Sequence, residues 1–215
     1  MNDIVIRDLG FEPLPEVWSR MKDFTEQRSA DTADEIWFVE HPPVFTLGLN
    51  ADPKHVIQAG DINVVQIDRG GQVTYHGPGQ LVCYVMLNVK RRELDVRSLV
   101  QTLEAAVIDT VAAYGIKAYP RRDAPGVYVD GAKLAAIGLR IRRGCSYHGI
   151  AINVAMDLAP YQQIHPCGFE GLPVTQLSAL STIDSVERFR PDFERELLAK
   201  LAATARAAGV RNPVE

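Results

Sequence analysis

Apolar residues fall along this chain mostly in short runs bounded by glycine, proline or charge, the spacing of strands; elsewhere they recur at helical spacing. Ile4-Val5-Ile6 predicts a short first strand. Val17, Trp18, Met21 and Phe24 predict an amphipathic helix opening near Pro15, a residue suited to a first helical turn. Ile36 to Glu40 reads as strand, His41-Pro42-Pro43 breaks it, and Val44 to Gly48 resumes an extended run. Residues 50–62 read as loop with a short helix, and Asn63 to Asp68 as a further strand. Leu81 to Leu87 is apolar without interruption, which predicts a strand buried on both faces.

Beyond it, Asp95 is placed to cap a helix running to about Tyr114. Its stripe is Val96, Leu99, Val100, Leu103, Val107, Val111 and Tyr114, and Gly115 stands where a C-terminal cap glycine belongs. Gly126 to Val129, Asp130-Gly131 and Lys133 to Ile141 spell a hairpin with an Asp-Gly turn, followed by a strand from Tyr147 to Val154. Residues 160–173 read as irregular, a short helix follows Thr175, and Pro191 to Ala208 is an amphipathic helix with Phe193, Leu197, Leu198 and Leu201 inward. The expectation is one α+β domain over residues 1–215, built around a mixed sheet.

Glycine marks the centre of the chain. Gly70-Gly71 and Gly77-Pro78-Gly79 bracket Thr74, Tyr75 and His76, between the strand ending at Asp68 and the one starting at Leu81. A hairpin with tight turns accounts for the glycines. The polar, titratable insert favours a binding loop, since glycine lets a ligand approach the main chain closely. Gly79 is followed by Gln80-Leu81, so this is neither a phosphate loop nor a dinucleotide fingerprint.

Composition narrows the class. A chain of 215 residues, 47% hydrophobic and 23% charged, suits a globular protein with a substantial core. No apolar run approaches a membrane span, and MNDIVIRDLG lacks the features of a signal peptide, so a cytoplasmic protein without membrane contact is expected. Cys83, Cys145 and Cys167 form no CxxC pair and predict no disulfide framework. The net charge of −4 argues against nucleic acid as a partner. Basic residues nevertheless cluster at Lys90-Arg91-Arg92, Arg121-Arg122, Arg140 and Arg142-Arg143, as solvated surface or as a patch that steers an acidic protein.

Two residues stand out chemically. Strand alternation places Lys133 on a face with Ile137, Leu139 and Ile141, opposite Arg140 and Arg142. There it either snorkels to water or acts as a desolvated catalytic lysine. Cys167 lies in His165-Pro166-Cys167-Gly168, a rigid loop suited to presenting a thiol. An ordinary thiol, pKa ~8.5, is only a few per cent thiolate at neutral pH, and a neighbouring cation such as Lys133 increases that fraction. A Cys–His dyad is the chemical rival. His76, His148, His165 and Cys167 show no zinc-ligand spacing, so neither a metal nor any other cofactor is expected.

Taken together, Glu40 to Gly48, Arg69 to Gln80, Gly131 to Gly138, His148 to Asn153 and His165 to Gly168 resemble the successive motifs of the octanoyltransferases, in family order. The resemblance implies a biotin/lipoate protein ligase-like fold, a mixed, mostly antiparallel β-sheet flanked by helices. It implies transfer of an octanoyl or lipoyl group from octanoyl-acyl carrier protein to a lysine on a lipoyl domain. Such domains belong to 2-oxo acid dehydrogenase complexes and to the glycine-cleavage H protein.

Matched residue by residue, the resemblance makes Cys167 the acyl-accepting nucleophile and Lys133 its partner. Arg69, Gly70, Gly71, Gln72, Val73, Thr74, Tyr75 and His76 line the acyl and thioester site, with Ala136, Ile137, Gly138, Gly149, Ile150 and Ala151. His148, His165 and Gly168 are supporting or pocket residues, and amides around Gly168 or Gly71 are candidate oxyanion donors. The basic clusters become candidate docking sites for the acidic carrier. The alternative is an ATP-dependent lipoate or biotin ligase on the same fold, which would not need Cys167.

Overall fold

The computed structural model describes residues 4–209. Seven strands form the main sheet in the order β1 (Ile4–Phe11), β2 (Asp34–Glu40), β6 (Gln80–Met86), β10 (Cys145–Asn153), β9 (Ala132–Arg142), β8 (Gly126–Val129) and β7 (Tyr119–Pro120). β1 runs parallel to β2 and every other pair is antiparallel. A second sheet has the order β4 (Asn63–Gln66), β3 (Val44–Leu47), β5 (Thr74–His76). Among the described residues three α-helices flank the sheets: α1 (Leu14–Gln27), α2 (Val96–Ala112) and α3 (Val186–Gly209). The mixed, mostly antiparallel sheet is as expected.

β6 shows why its run is apolar throughout. Leu81, Cys83 and Val85 face a core closed by Leu99, Leu103 and Val107 of α2 and by Phe189, Phe193 and Leu197 of α3. Val82, Tyr84 and Met86 face the opposite way, towards Val17 and Met21 of α1. A strand covered on both sides has no polar face to display. α2 begins as its sequence dictates, with the Asp95 carboxylate accepting from Ser98 N (2.7 Å) and the Ser98 hydroxyl accepting from Asp95 N (2.9 Å).

Five expectations are corrected or sharpened. Residues 63–87 form no central hairpin: β4 and β5 belong to the small sheet on either side of β3, whereas β6 pairs with β2 and β10. The glycine-flanked insert thus joins two sheets, which no local pattern reveals. α3 begins at Val186, ahead of Pro191, because Phe189 shares the buried face with Phe193 and their rings stack 5.9 Å apart. Val96 of the α2 stripe is exposed, and the helix after Thr175 is a single 3-10 turn, Leu177–Ala179.

Lys133 is the fifth. The register of β8 and β9 slips between Val127 and Tyr128, so that Val127 pairs with Ala135 and Tyr128 with Lys133. Leu134 and Ala135 both turn into the helix-covered core together with Ile137, Leu139 and Ile141. This bulge inverts the alternation. Lys133 therefore lies on the opposite face from Ile137, Leu139 and Ile141, beneath the ring of Tyr128 (5.3 Å).

Candidate active site

The β8–β9 turn takes the left-handed conformation at both Asp130 (φ 48°) and Gly131 (φ 86°), which explains the Asp-Gly pair. Directly after it, the backbone of Lys133 is laced to a distant segment: its N–H donates to Pro173 O (2.8 Å), and Thr175 N donates to its carbonyl (3.0 Å). That lacing brings in the loop upstream of Pro173. Cys167 occupies a one-turn 3-10 segment, Pro166–Gly168, and itself adopts φ 57°. Its amide donates to Val73 O (3.1 Å), tying the loop to the glycine-flanked insert. A non-glycine residue held at positive φ by surrounding contacts is a recurrent feature of nucleophile turns.

Lys133 Nζ donates to Cys167 Sγ at 2.7 Å, and the lysine is almost wholly buried. None of His76, His148 and His165 is hydrogen-bonded to that sulfur, so the geometry favours Cys–Lys over Cys–His. Gly126 makes the approach possible, since a Cβ there would stand 2.8 Å from Lys133 Cε.

Cys167 opens onto a narrow cavity that is partly open to solvent. Arg69, Gly71, Gln72, Val73, Thr74, His76, Ala136, Ile137, Gly138, His148, Gly149, Ile150 and Ala151 line it. Arg69 is 7% exposed and forms no ion pair among the described residues. Its guanidinium donates to Thr46 O (2.7 Å), Thr46 Oγ1 (2.9 Å) and Gly70 O (2.9 Å). Burial pushes its pKa down to about 10, partly offset by the negative charge that Cys167 and Tyr84 carry when ionised. The cavity thus holds an unpaired positive charge near the thiol, where negative charge would be stabilised.

The remaining expected residues lie elsewhere. Strand alternation turns Tyr75 away from Thr74 and His76, against Phe45 (5.5 Å) and Tyr161 (5.6 Å). The Gly70 amide pins the loop to Leu139 O (3.0 Å). His165 donates its amide to His55 O (2.8 Å), and its ring packs on that of His55. The Gly168 amide is spent on His165 O (2.8 Å), which removes it as an oxyanion donor. Leu14, Ile67, Val82 and Tyr84 complete the cavity wall. Nothing local distinguishes them from core residues, and only the folded chain brings them to the cavity.

A family model described as the lipoyl protein ligase A/B catalytic domain matches residues 14–198. An octanoyltransferase of Methylococcus capsulatus is 54% identical over 197 residues, covering 92% of this chain and 95% of its own. One from Klebsiella pneumoniae is 54% identical over 200 residues, covering 93% and 94%. The chain belongs to the octanoyltransferase family.

Solved structures extend the likeness of fold beyond the octanoyltransferases. A bipartite lipoate protein ligase of Thermoplasma acidophilum superposes with a TM-score of 0.73 at 16% identity, covering 99% of this chain and 94% of its own. Lipoate-protein ligase A bound with ATP gives 0.69 at 15%, covering 98% and 95%. Biotin protein ligase from Aquifex aeolicus gives 0.57 at 14%, covering 96% and 71%. The biotin/lipoate protein ligase-like fold is therefore shown.

No helix among the described residues is long and apolar enough to cross a membrane, and no His, Cys, Asp or Glu cluster among them is arranged to hold a metal. The structure also divides the basic clusters. Arg91 and Arg92 converge with Arg28 on buried Asp34, and Arg142 pairs with Glu26. Arg121 pairs with Asp123 but lies over Tyr128 and Phe169, beside Cys167.

Proposed function

We propose that this octanoyltransferase moves an octanoyl or lipoyl group from octanoyl-acyl carrier protein to a lysine of lipoyl domains through a thioester on Cys167. The acceptors are the lipoyl domains of 2-oxo acid dehydrogenase complexes and the glycine-cleavage H protein, in the cytoplasm. The observation that carries this reading is the 2.7 Å contact between Lys133 Nζ and Cys167 Sγ at a cavity walled by Val73, Ile137, Ile150 and Ala151.

In the first step the Cys167 thiolate attacks the thioester carbonyl. The new C–S bond forms as the donor C–S bond breaks, and the departing phosphopantetheine thiolate takes a proton from Lys133. In the second step the acceptor amine attacks the acyl-enzyme, a C–N bond forms and the Cys167 C–S bond breaks. Lys133, now neutral, accepts the amine's surplus proton. Thioester exchange is nearly balanced in free energy and amide formation is downhill, so no ATP enters. The Gly71 amide, which makes no hydrogen bond among the described residues, and the Arg69 guanidinium supply the oxyanion contacts. Each acyl methylene buried in the cavity contributes about 0.8 kcal/mol, which gives chain-length preference.

The test is intact-mass analysis after mixing the enzyme with octanoyl-acyl carrier protein, without ATP or magnesium, alongside Cys167→Ser and Lys133→Met. One octanoyl adduct is expected, labile to neutral hydroxylamine, absent from Cys167→Ser and formed far more slowly by Lys133→Met. Octanoyl transfer that requires ATP, with no adduct on the enzyme, would instead assign a ligase.

A further inference from the structure

We infer that Asp68 is a positioning residue: its carboxylate, held from two elements by Trp18, Tyr147 and His148, fixes the backbone from which Arg69 enters the acyl cavity. The inference rests on the acyl-transfer reading above. Asp68 directly precedes Arg69 and accepts from Trp18 Nε1 of α1 (2.8 Å), from the Tyr147 hydroxyl and from His148 Nε2 (2.9 Å), both of β10.

Tyr147 and His148 are consecutive strand residues, whose side chains ordinarily point to opposite faces. His148 instead takes φ 60°, and its ring stacks on that of Tyr147 (centroids 4.8 Å apart, planes 26° apart). The left-handed residue is what lets both rings reach one carboxylate. The next residue, Gly149, has no room for a side chain: a Cβ there would stand 1.9 Å from Cys83 O of β6. A strained turn in a buried central strand persists only where surrounding contacts hold it, and such strain clusters at functional sites.

The carboxylate passes this order on. The Arg69 side chain lies across Gly138, where a Cβ would come within 2.7 Å of Arg69 Cδ, and its guanidinium lines the cavity that holds Cys167. Burial by itself would raise the Asp68 pKa, but the His148, Tyr147 and Trp18 donors outweigh it and keep the carboxylate ionised. A carboxylate can only accept, so His148 carries its proton on Nε2. Asp68 does not touch the reacting atoms; it sets where Arg69 stands.

Single-turnover acylation of Cys167 by octanoyl-acyl carrier protein tests this with wild type, Asp68→Asn, Trp18→Phe and Tyr147→Phe, well below their melting temperatures. Asp68→Asn is expected to slow acylation at saturating donor by roughly 10- to 100-fold, the scale of an ångström-sized displacement at a reacting centre. The half-saturating donor concentration should move by less than about twofold, because Arg69 is expected to act on the transition state. The phenylalanine variants should fall in the same parameter by smaller factors. In NMR spectra the hydrogen-bonded His148 Nε2 proton is expected to resonate further upfield in Asp68→Asn than in wild type.

An Asp68→Asn enzyme that acylates at the wild-type rate per folded molecule, or loses only donor affinity, overturns the inference and leaves the acyl-transfer reading intact. Should that variant not fold, unchanged rates in both phenylalanine variants overturn it equally. A wild-type enzyme that never acylates refutes the reading itself.

Discussion

Two buried histidines near the cavity at Cys167 make stability depend on pH in a direction the structure dictates. His41 is fully buried, its Nδ1–H donates to Glu12 O (2.6 Å) and its Nε2 accepts from the Tyr84 hydroxyl (2.7 Å). Burial pushes its pKa from 6.5 down to about 4, the bond to Glu12 O offsetting only part of the effect. His76 donates from Nδ1 to Gln80 Oε1 (2.7 Å) and is pushed down to about 3, by burial and then by the nearby His41.

A histidine whose folded-state pKa lies below its unfolded value binds more protons when the chain is unfolded. Its contribution is complete above about pH 6.5 and is lost as pH falls towards 4 and then 3. At ~1.4 kcal/mol per pH unit, each histidine removes about 2 kcal/mol between pH 7 and pH 5. Against a total stability of ~5–15 kcal/mol that is a large share, worth several degrees in melting temperature.

Urea melts of wild type and His41→Asn at pH 7 and pH 5 measure it. Asparagine keeps a donor for Glu12 O and ends the titration at position 41. The variant is less stable at pH 7, yet it should lose about 2 kcal/mol less than wild type on acidification. Carboxylates titrate alike in both proteins and cancel. Equal losses in the two would refute the argument and mean that His41 is already protonated, or hydrated, in the folded protein.

Two glycines on facing strands should behave oppositely when changed to alanine. Gly149→Ala forces a Cβ within 1.9 Å of the Cys83 carbonyl, so β6 and β10 must part; a loss above about 3 kcal/mol is expected in denaturant melts. Gly138→Ala meets the flexible stem of Arg69 at 2.7 Å, so stability should change by less than ~2 kcal/mol while acylation slows, read in the same single-turnover assay. Asp34→Ala strips the buried partner from Arg28, Arg91 and Arg92 and should cost about 3–5 kcal/mol by thermal or chemical unfolding, with no specific effect on acylation per folded molecule.

The chain alone determined whatever depends on near neighbours. Asp95 and Ser98 cap α2, Asp130-Gly131 turns the β8–β9 hairpin, and the unbroken run of β6 is buried on both faces, because caps, turns and burial periodicity are properties of a few consecutive residues. The motifs around Arg69, Lys133, His148 and Cys167 were legible for the same reason, each being a short contiguous string.

Tertiary structure decided everything that joins separate strings. A bulge of one residue at Leu134 inverted the face of Lys133, and alternation counted along the strand cannot register it without the partner's register. Sheet pairing split residues 63–87 between two sheets, turning an apparent hairpin into a cavity wall. Asp68 reads as an ordinary strand-end carboxylate until Trp18, Tyr147 and His148 arrive from elsewhere in the chain. The contact between Lys133 and Cys167 likewise exists because backbone bonds at Pro173 and Thr175 dock one loop beside a strand, a long-range event with no local signature.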